Sequence, residues 1–139
     1  MKIHLFFLLS FLLFSCENEE KKIAKVKVQK AADLLTIPVV SDIARADTTL
    51  TNFCIQEIKS YNSEGELVLI TETNLCESNS HKIYVESKYY VDNQLIYELR
   101  RIGWGEQKCF ETKYDATGKV LSKQGYLFDK KGLLIRRLK

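Results

Sequence analysis

The sequence predicts a mainly β protein built on a single antiparallel meander sheet of about seven strands. Two observations carry this prediction: a turn pattern that recurs along the chain, and the segments of strand length between its copies. A third observation, the ordinary apolar fraction of 45% with one proline and six glycines, excludes collagen-like and proline-rich disordered chains. A chain of 139 residues is also too short for most large enzyme architectures.

The recurring pattern starts with an aromatic residue, continues through three turn-forming residues and a residue that tolerates positive φ, and ends with a spacer and an aliphatic residue. Its four copies are residues 61–67, 89–95, 114–120 and 128–134. Asn or Asp opens a type I turn by accepting a backbone hydrogen bond, and the residue at the left-handed position then forms a G1 bulge. That position is held by Gly65, Asn93, Gly118 and Gly132. Each copy is therefore predicted to be a hairpin corner.

The segments between the corners are rich in Ile, Val, Tyr, Phe and Thr, which favour strands. They are residues 53–60, 67–73, 82–89, 95–101, 106–114, 120–127 and 133–138, with turns expected at 77–80 and 103–105. A sheet this large in so small a domain must twist strongly. It then either curls toward a half-barrel or leaves one face for another part of the protein to cover.

The sheet is preceded by a signal peptide and a flexible arm, which divide the chain into three parts. Residues 1–15 contain Lys2 and then an apolar run of about ten residues, too short to span a bilayer but typical of a signal-peptide core. Residues 16–50 form a charged tether and then an arm lying on the domain, in which Pro38 disfavours helix and residues 48–51 favour extended chain. Residues 51–139 form the hairpin domain.

The apolar run ends in Leu13-Phe14-Ser15-Cys16, which resembles the lipobox of bacterial lipoproteins. The resemblance implies cleavage before Cys16, a diacylglycerol on its sulfur and localisation at the outer membrane of the cell envelope. The next six residues, Glu17-Asn18-Glu19-Glu20-Lys21-Lys22, resemble the acidic export signal of Bacteroidetes-type surface lipoproteins. The alternative for these six residues is a solvated linker.

The last two copies of the turn pattern, Tyr114-Asp115-Ala116-Thr117-Gly118 and Phe128-Asp129-Lys130-Lys131-Gly132, are similar to the YD repeats of bacterial surface proteins. This similarity covers about a fifth of the chain. It implies extracellular β-structure and no catalysis.

No residue pattern indicates an enzyme, a cofactor or a metal site. The sequence lacks the common nucleophile, zinc and phosphate-loop motifs, and His81, in a predicted turn, is the one histidine outside the signal peptide. Four glutamates lie in successive strands and are expected to face one another: Glu57, Glu72, Glu86 and Glu98. We interpret them as part of the solvent-exposed face of the sheet. The alternative, a pair of catalytic carboxylates as in a glycosidase, would need a cleft.

Three cysteines remain after Cys16, and an oxidising envelope favours one disulfide among them. Cys54 with Cys76 is the preferred pair because both lie at the open end of one hairpin. The loop-entropy difference from a Cys54–Cys109 bridge is too small to decide, so other pairings and the absence of a bridge stay open.

The aromatic residues of the strands are interpreted mainly as core, with an exposed ligand-binding ladder as the alternative. Trp104 lies between two glycines at a loop tip and is the first candidate for a ligand contact, followed by Tyr97 and Tyr90.

Charge is distributed unevenly: residues 119–139 hold seven basic residues and one acidic residue, whereas residues 31–118 hold eight basic and fourteen acidic. The basic end either meets anionic surfaces or protects an edge strand from pairing. Nucleic acid is not expected as a partner, since no basic motif or helical stripe occurs and the chain is expected to be exported.

The expected function is that of a non-catalytic, lipid-anchored module binding an unknown envelope protein or glycan. The alternatives are an inhibitor or immunity-type protein directed against an envelope hydrolase or toxin and, after it, a hydrolase of unrecognised type.

Overall fold

The computed structural model describes residues 28–76 and 83–139 and shows one open sheet of eight antiparallel strands, with a short helix before it. The elements are α1 (Ala31–Leu34), β1 (Arg45–Thr51), β2 (Ile55–Tyr61), β3 (Leu67–Asn74), β4 (Tyr84–Val91), β5 (Gln94–Ile102), β6 (Gln107–Tyr114), β7 (Val120–Phe128) and β8 (Leu134–Leu138). Each strand pairs with the next along the chain, so the spatial order is the sequence order. The predicted antiparallel meander is confirmed, and the sheet does not close into a barrel.

The strand that the sequence did not predict is β1, which lies inside the predicted arm. It pairs with β2 over its whole length, from Arg45 opposite Tyr61 to Thr51 opposite Ile55. All seven of its residues are exposed. Because neither of its faces is buried, β1 has no alternation of apolar and polar residues, and this alternation is the usual signal of a strand.

Three of the four predicted corners form as expected, through one side chain each. Asn62, Asp115 and Asp129 each accept two backbone N–H bonds on Oδ1, at 2.8–3.1 Å. Gly65, Gly118 and Gly132 take φ of 85°, 81° and 75°. The side-chain acceptor bends the chain, and the left-handed glycine completes the bulge.

The second corner is a tighter turn than the pattern predicts. Asn93 has the expected left-handed conformation, with φ 62°, but Asp92 has it as well, with φ 49°. Val91 pairs with Gln94, so only these two residues form the loop, as in a type I′ hairpin. The irregularity in register moves into the strand, between Tyr89 and Tyr90.

We call the two sides of the sheet the core face and the charged face. The core face carries a thin core contributed by β4 to β7: Tyr89, Tyr97, Leu99, Cys109, Tyr126 and Phe128. Ala31, Leu34, Leu35 and Val40 of the arm (residues 28–44) pack against this core. The arm thus covers one face of the open sheet, which is the second of the two solutions expected for so large a sheet.

Hydrogen bonds fix the arm at both ends. Near β8, Ala31 N–H donates to Gly132 O and Leu134 N–H donates to Gln29 O, both at 2.9 Å. Near β1, Ala44 N–H donates to Tyr61 O at 2.9 Å, and Ser63 Oγ donates to Asp42 Oδ2 at 2.7 Å. The arm therefore crosses the core face from one edge of the sheet to the other.

Candidate interaction surfaces

The charged face contains a row of three carboxylates on adjacent strands. Glu57 lies directly opposite Glu72, and Glu72 lies directly opposite Glu86. Residues opposite each other in an antiparallel pair share a face, with Cβ atoms roughly 5 Å apart, and like charges in such pairs repel. The expectation that strand glutamates face one another is confirmed for these three residues.

Glu98, the fourth glutamate of that set, lies outside the row. Glu86 pairs with Arg100, and Glu98 pairs with Lys88 two residue pairs further along the strands. Glu98 accepts a hydrogen bond from the hydroxyl of Tyr114. Burial and then this carboxylate raise the pKa of Tyr114 to about 12.

Each carboxylate of the row has a donor beside it on the same face. Lys59 Nζ lies 3.2 Å from Glu57 Oε1, and Lys88 Nζ lies 3.8 Å from Glu86 Oε2. Glu72 accepts a hydrogen bond from the hydroxyl of Tyr84. These donors reduce the repulsion along the row, and the result is a surface of alternating charge instead of a cleft.

The contacts with the carboxylates raise the pKa of two donors, and a cation lies over the ring of one of them. Hydrogen bonding to Glu57 raises the pKa of Lys59, and hydrogen bonding to Glu72 raises that of Tyr84. The Arg100 guanidinium lies over the Tyr84 ring, 4.6 Å from its centroid. Arg100, Tyr84 and Glu72 thus form one connected group in which the ring is held between a cation and an anion.

The predicted disulfide is present between Cys54 and Cys76, whose Cα atoms are 5.2 Å apart. It joins the β1–β2 loop to the segment after β3, where Leu75 N–H also donates to Cys54 O at 2.8 Å. Cys109 is free and buried in the core, and this burial raises the pKa of its thiol.

The three aromatic residues predicted as ligand contacts occupy different environments. Trp104 is 71% exposed in the β5–β6 turn, and Tyr90 is half-buried in β4. Tyr97 is buried, with its hydroxyl donating to Glu111 at 2.9 Å, so a ligand at the surface would not reach it. Its ring packs edge-on against Tyr89, which is the core role that strand aromatics usually have.

Two further apolar side chains lie exposed at the end of the sheet that carries Trp104. In a meander, alternate turns come to the same end, and this end includes the β1–β2 loop, the segment after β3 and the β5–β6 turn. Phe53 in the first is 91% exposed and Leu75 in the second is 53% exposed. Phe53 also has φ of 57°, a conformation that costs a bulky residue energy. A non-glycine residue with positive φ leaves no simple sequence signal, which is why Phe53 was not predicted.

Sequence reasoning also missed a buried carboxylate on the core face. Glu111 is 2% exposed and accepts a hydrogen bond from the hydroxyl of Tyr97, while the Tyr126 hydroxyl lies 3.4 Å from its other oxygen. The Tyr126 hydroxyl also donates to Gln124. The position of Glu111 in the strand could have indicated its burial. It follows Cys109 by two residues, so both side chains point to the same face.

Several expectations concern residues that the structure does not describe. Cys16 and its lipobox, the acidic segment after it and His81 lie outside residues 28–76 and 83–139. Within those ranges, no cluster of His, Cys, Asp and Glu is arranged to hold a metal ion. No helix of the described chain has the length and apolar character needed to cross a membrane.

Comparison of the chain with protein-family models, with curated proteins and with solved structures found no match.

Proposed function

We propose that this chain is a lipid-anchored, non-catalytic module of the cell envelope that binds a partner protein through its charged face. The proposal rests on the difference between the two faces of the sheet. The arm packs on the core face, whereas the charged face presents the row of Glu57, Glu72 and Glu86 with its basic neighbours. Alternating charges of this kind supply orientation and specificity in protein contacts.

The exposed end of the sheet adds an apolar contact to this surface. Trp104 and Phe53 are the large side chains that stand out into solvent there. Aromatic anchors contribute a large share of the binding energy at many protein interfaces. A partner would therefore be oriented by the charged face and held by these rings.

The lipid anchor rests on the sequence motif at Leu13 to Cys16. Two or three acyl chains hold a protein stably at a bilayer, since each buried methylene contributes about 0.8 kcal/mol. Metabolic labelling with a palmitate analogue should label the wild-type chain and leave Cys16→Ser unlabelled. Label that persists in Cys16→Ser would refute the anchor.

The partner surface is tested by affinity capture from envelope extracts with matched variants. The triple variant Glu57→Gln/Glu72→Gln/Glu86→Gln removes the row and should weaken capture about tenfold, an effect that rising salt reproduces in the wild type. The control is Glu64→Gln/Asp92→Asn, because both residues are exposed and lie in turns at the end of the sheet opposite to Trp104. A partner retained equally by both variants would show that the row is not the binding surface.

An inhibitor or immunity-type protein is the second candidate, and the in-register carboxylates favour it. A row of three carboxylates is suited to a basic site on the surface of a toxin or hydrolase. In this case the captured partner is an enzyme at a stoichiometric ratio, and its turnover stops on binding. Turnover of a glycan or ester by the purified chain, abolished by substitution of one strand glutamate, would overturn both candidates.

A further inference from the structure

A cavity of about 230 Å³ lies between the arm and the core face, away from the charged face. Ala31, Leu35 and Ile37 line it from the arm, and Cys109 and Phe128 line it from β6 and β7. The charged side chain in its wall is Arg101, an exposed residue that lies opposite Cys109 in the register of β5 and β6, and Gln107 adds a neutral amide. The cavity therefore combines an apolar interior with one cation.

We propose that this cavity binds a small amphiphilic carboxylic acid, with the apolar body against the arm and Phe128 and the carboxylate on the Arg101 guanidinium. This site is separate from the partner surface proposed above and does not depend on it.

The first argument is the charge state of Arg101. None of the residues that line the cavity is acidic, and no carboxylate of the described residues lies within 4.0 Å of this guanidinium. Burial raises the pKa of the neighbouring Cys109 thiol, so no thiolate neutralises the arginine at pH 7. A planar guanidinium accepts a carboxylate through two parallel hydrogen bonds, which selects an acid over an alcohol or an amine.

The second argument is size. A dry apolar cavity of about 150 Å³ holds benzene. In proportion, 230 Å³ holds a molecule with about nine non-hydrogen atoms. This is the size of an aromatic acid with one ring or of a medium-chain fatty acid.

The third argument is access. The hydrogen bonds of the arm lie at its two ends, near β8 and near β1, as described above. One of these bonds joins Ala31 to Gly132, which both line the cavity, and it fixes the arm on the β8 side of the cavity. Further along the arm, Leu35 is held against the core by packing. Apolar packing can separate and re-form around a ligand without the loss of a directional bond.

The experiment follows the backbone amide shifts of the full chain in lipid nanodiscs, with empty nanodiscs as the blank. Phenylacetate and octanoate are the two acids, and they separate an aromatic ligand from an alkyl one. Phenethyl alcohol is the neutral analogue. We expect one of the acids to saturate with a Kd of about 1 mM or lower and to shift amides near Ala31 and Cys109, and the alcohol to bind at least tenfold more weakly.

Two variants and one control isolate the site. Arg101→Gln should weaken binding of the acid about tenfold and leave binding of phenethyl alcohol unchanged. Ala32→Leu, at an exposed position that lines the cavity, should weaken both ligands. The matched control is Arg100→Gln, one residue earlier and on the charged face, which should bind as the wild type does. The proposal is overturned if neither acid shifts these amides, if the alcohol binds as tightly as the acid, or if Arg101→Gln and Arg100→Gln behave alike.

Discussion

The residue that most constrains the core is Glu111, a carboxylate enclosed among tyrosines. A buried charge is stable only when its oxygens accept hydrogen bonds, and here Tyr97 and Tyr126 supply the hydroxyl groups. Burial and then this hydrogen bond raise the pKa of Tyr97, so its hydroxyl remains a donor through the physiological range. The pair is therefore a fixed polar link within an apolar core.

Replacing Glu111 with alanine should lower the free energy of unfolding by about 3 kcal/mol. The change leaves a cavity and removes the acceptor of the Tyr97 hydroxyl, and each effect costs roughly 1–3 kcal/mol. Urea unfolding measures this loss. Glu111→Gln keeps an acceptor oxygen and should lose less, and Glu64→Ala, at an exposed turn position, should stay within about 0.5 kcal/mol of the wild type. A wild-type midpoint in Glu111→Ala would contradict this account of the core.

Tyr114 gives the stability a dependence on alkaline pH. Burial and the Glu98 carboxylate raise its pKa from 10.0 to about 12 in the folded state. Between these values the unfolded chain loses the phenolic proton and the folded chain keeps it. The stabilisation is thus fully present below pH 10 and is lost as the pH rises through about 12.

The phenolate absorbance of the folded protein, with that of Tyr114→Phe subtracted, should show this step near pH 12. Glu98→Gln removes the neighbouring charge and should move the step to lower pH. A step at pH 10 in the folded wild type would show that Tyr114 is not perturbed.

At the scale of elements, the disulfide holds the end of the sheet where β1, β2 and β3 meet. The Cys54–Cys76 bridge spans 22 residues and connects the most exposed strand to the body of the sheet. Restricting the unfolded chain over this length is worth about 3 kcal/mol in the loop-entropy model. Cys54→Ser/Cys76→Ser should therefore unfold at lower urea by this amount. Dithiothreitol should shift the wild type to the midpoint of the variant and leave the variant unchanged, and a wild type insensitive to reduction would contradict the prediction.

The corners depend on glycine only where φ is positive. Gly118 has φ of 81° and Gly105 has no such φ, while a Cβ added at either would meet nothing within 4 Å. Gly118→Ala should cost about 1 kcal/mol through backbone strain alone, and Gly105→Ala should cost close to nothing. Gly118→Asn should fall between them, because asparagine tolerates the left-handed region. Equal midpoints for the two alanine variants in thermal unfolding would show that the corner tolerates a side chain.

The elements that the sequence predicted are those whose cause is local. The corners follow from an Asn or Asp and a glycine a few residues apart, and the strands between them follow from composition. The role of residues 45–51 as β1 could not be predicted, since an edge strand exposed on both faces carries no alternation of apolar and polar residues.

The candidate site was likewise predictable only in its local features. Strand order predicted that four glutamates would face one another. The turn at Asp92 and Asn93 and the bulge between Tyr89 and Tyr90 instead place Arg100 opposite Glu86, so Glu98 lies outside the row. The cavity under the arm depends on contacts between distant parts of the chain, and no local pattern encodes it.

At the scale of the whole molecule, the strands follow one another across the sheet in sequence order. The uneven distribution of charge along the chain therefore becomes an uneven distribution of charge across the sheet. The glutamate row lies on β2, β3 and β4, whereas β7 and β8 belong to the segment with seven basic residues and one acidic residue. The two ends of the sheet order, β1 and β8, are edge strands. Unpaired backbone groups on such edges can recruit another chain, and basic side chains are a common way to prevent it.

This arrangement predicts that the charges on β8 protect the edge by their position and not merely by adding to the net charge. Arg136 and Arg137 are exposed on β8, and Arg136→Thr/Arg137→Thr should convert this strand into one that pairs with a second molecule. Light scattering should detect association of this variant at protein concentrations where the wild type is monomeric, and high salt should bring the wild type closer to it.

The matched control is Lys130→Thr/Lys131→Thr, which removes the same charge from the turn before β8. If both variants associate equally, net charge is the cause, and the edge has no special role. If only the β8 variant associates, head-to-tail pairing of β8 with the β1 edge of another molecule would produce open chains, because a contact between two different edges does not close on itself. Among the described residues, the arm occupies the start of the β8 edge, where Leu134 N–H donates to Gln29 O, and Arg136 and Arg137 lie on the remainder of that edge. Blocking one of the two edges is enough to stop such chains from growing.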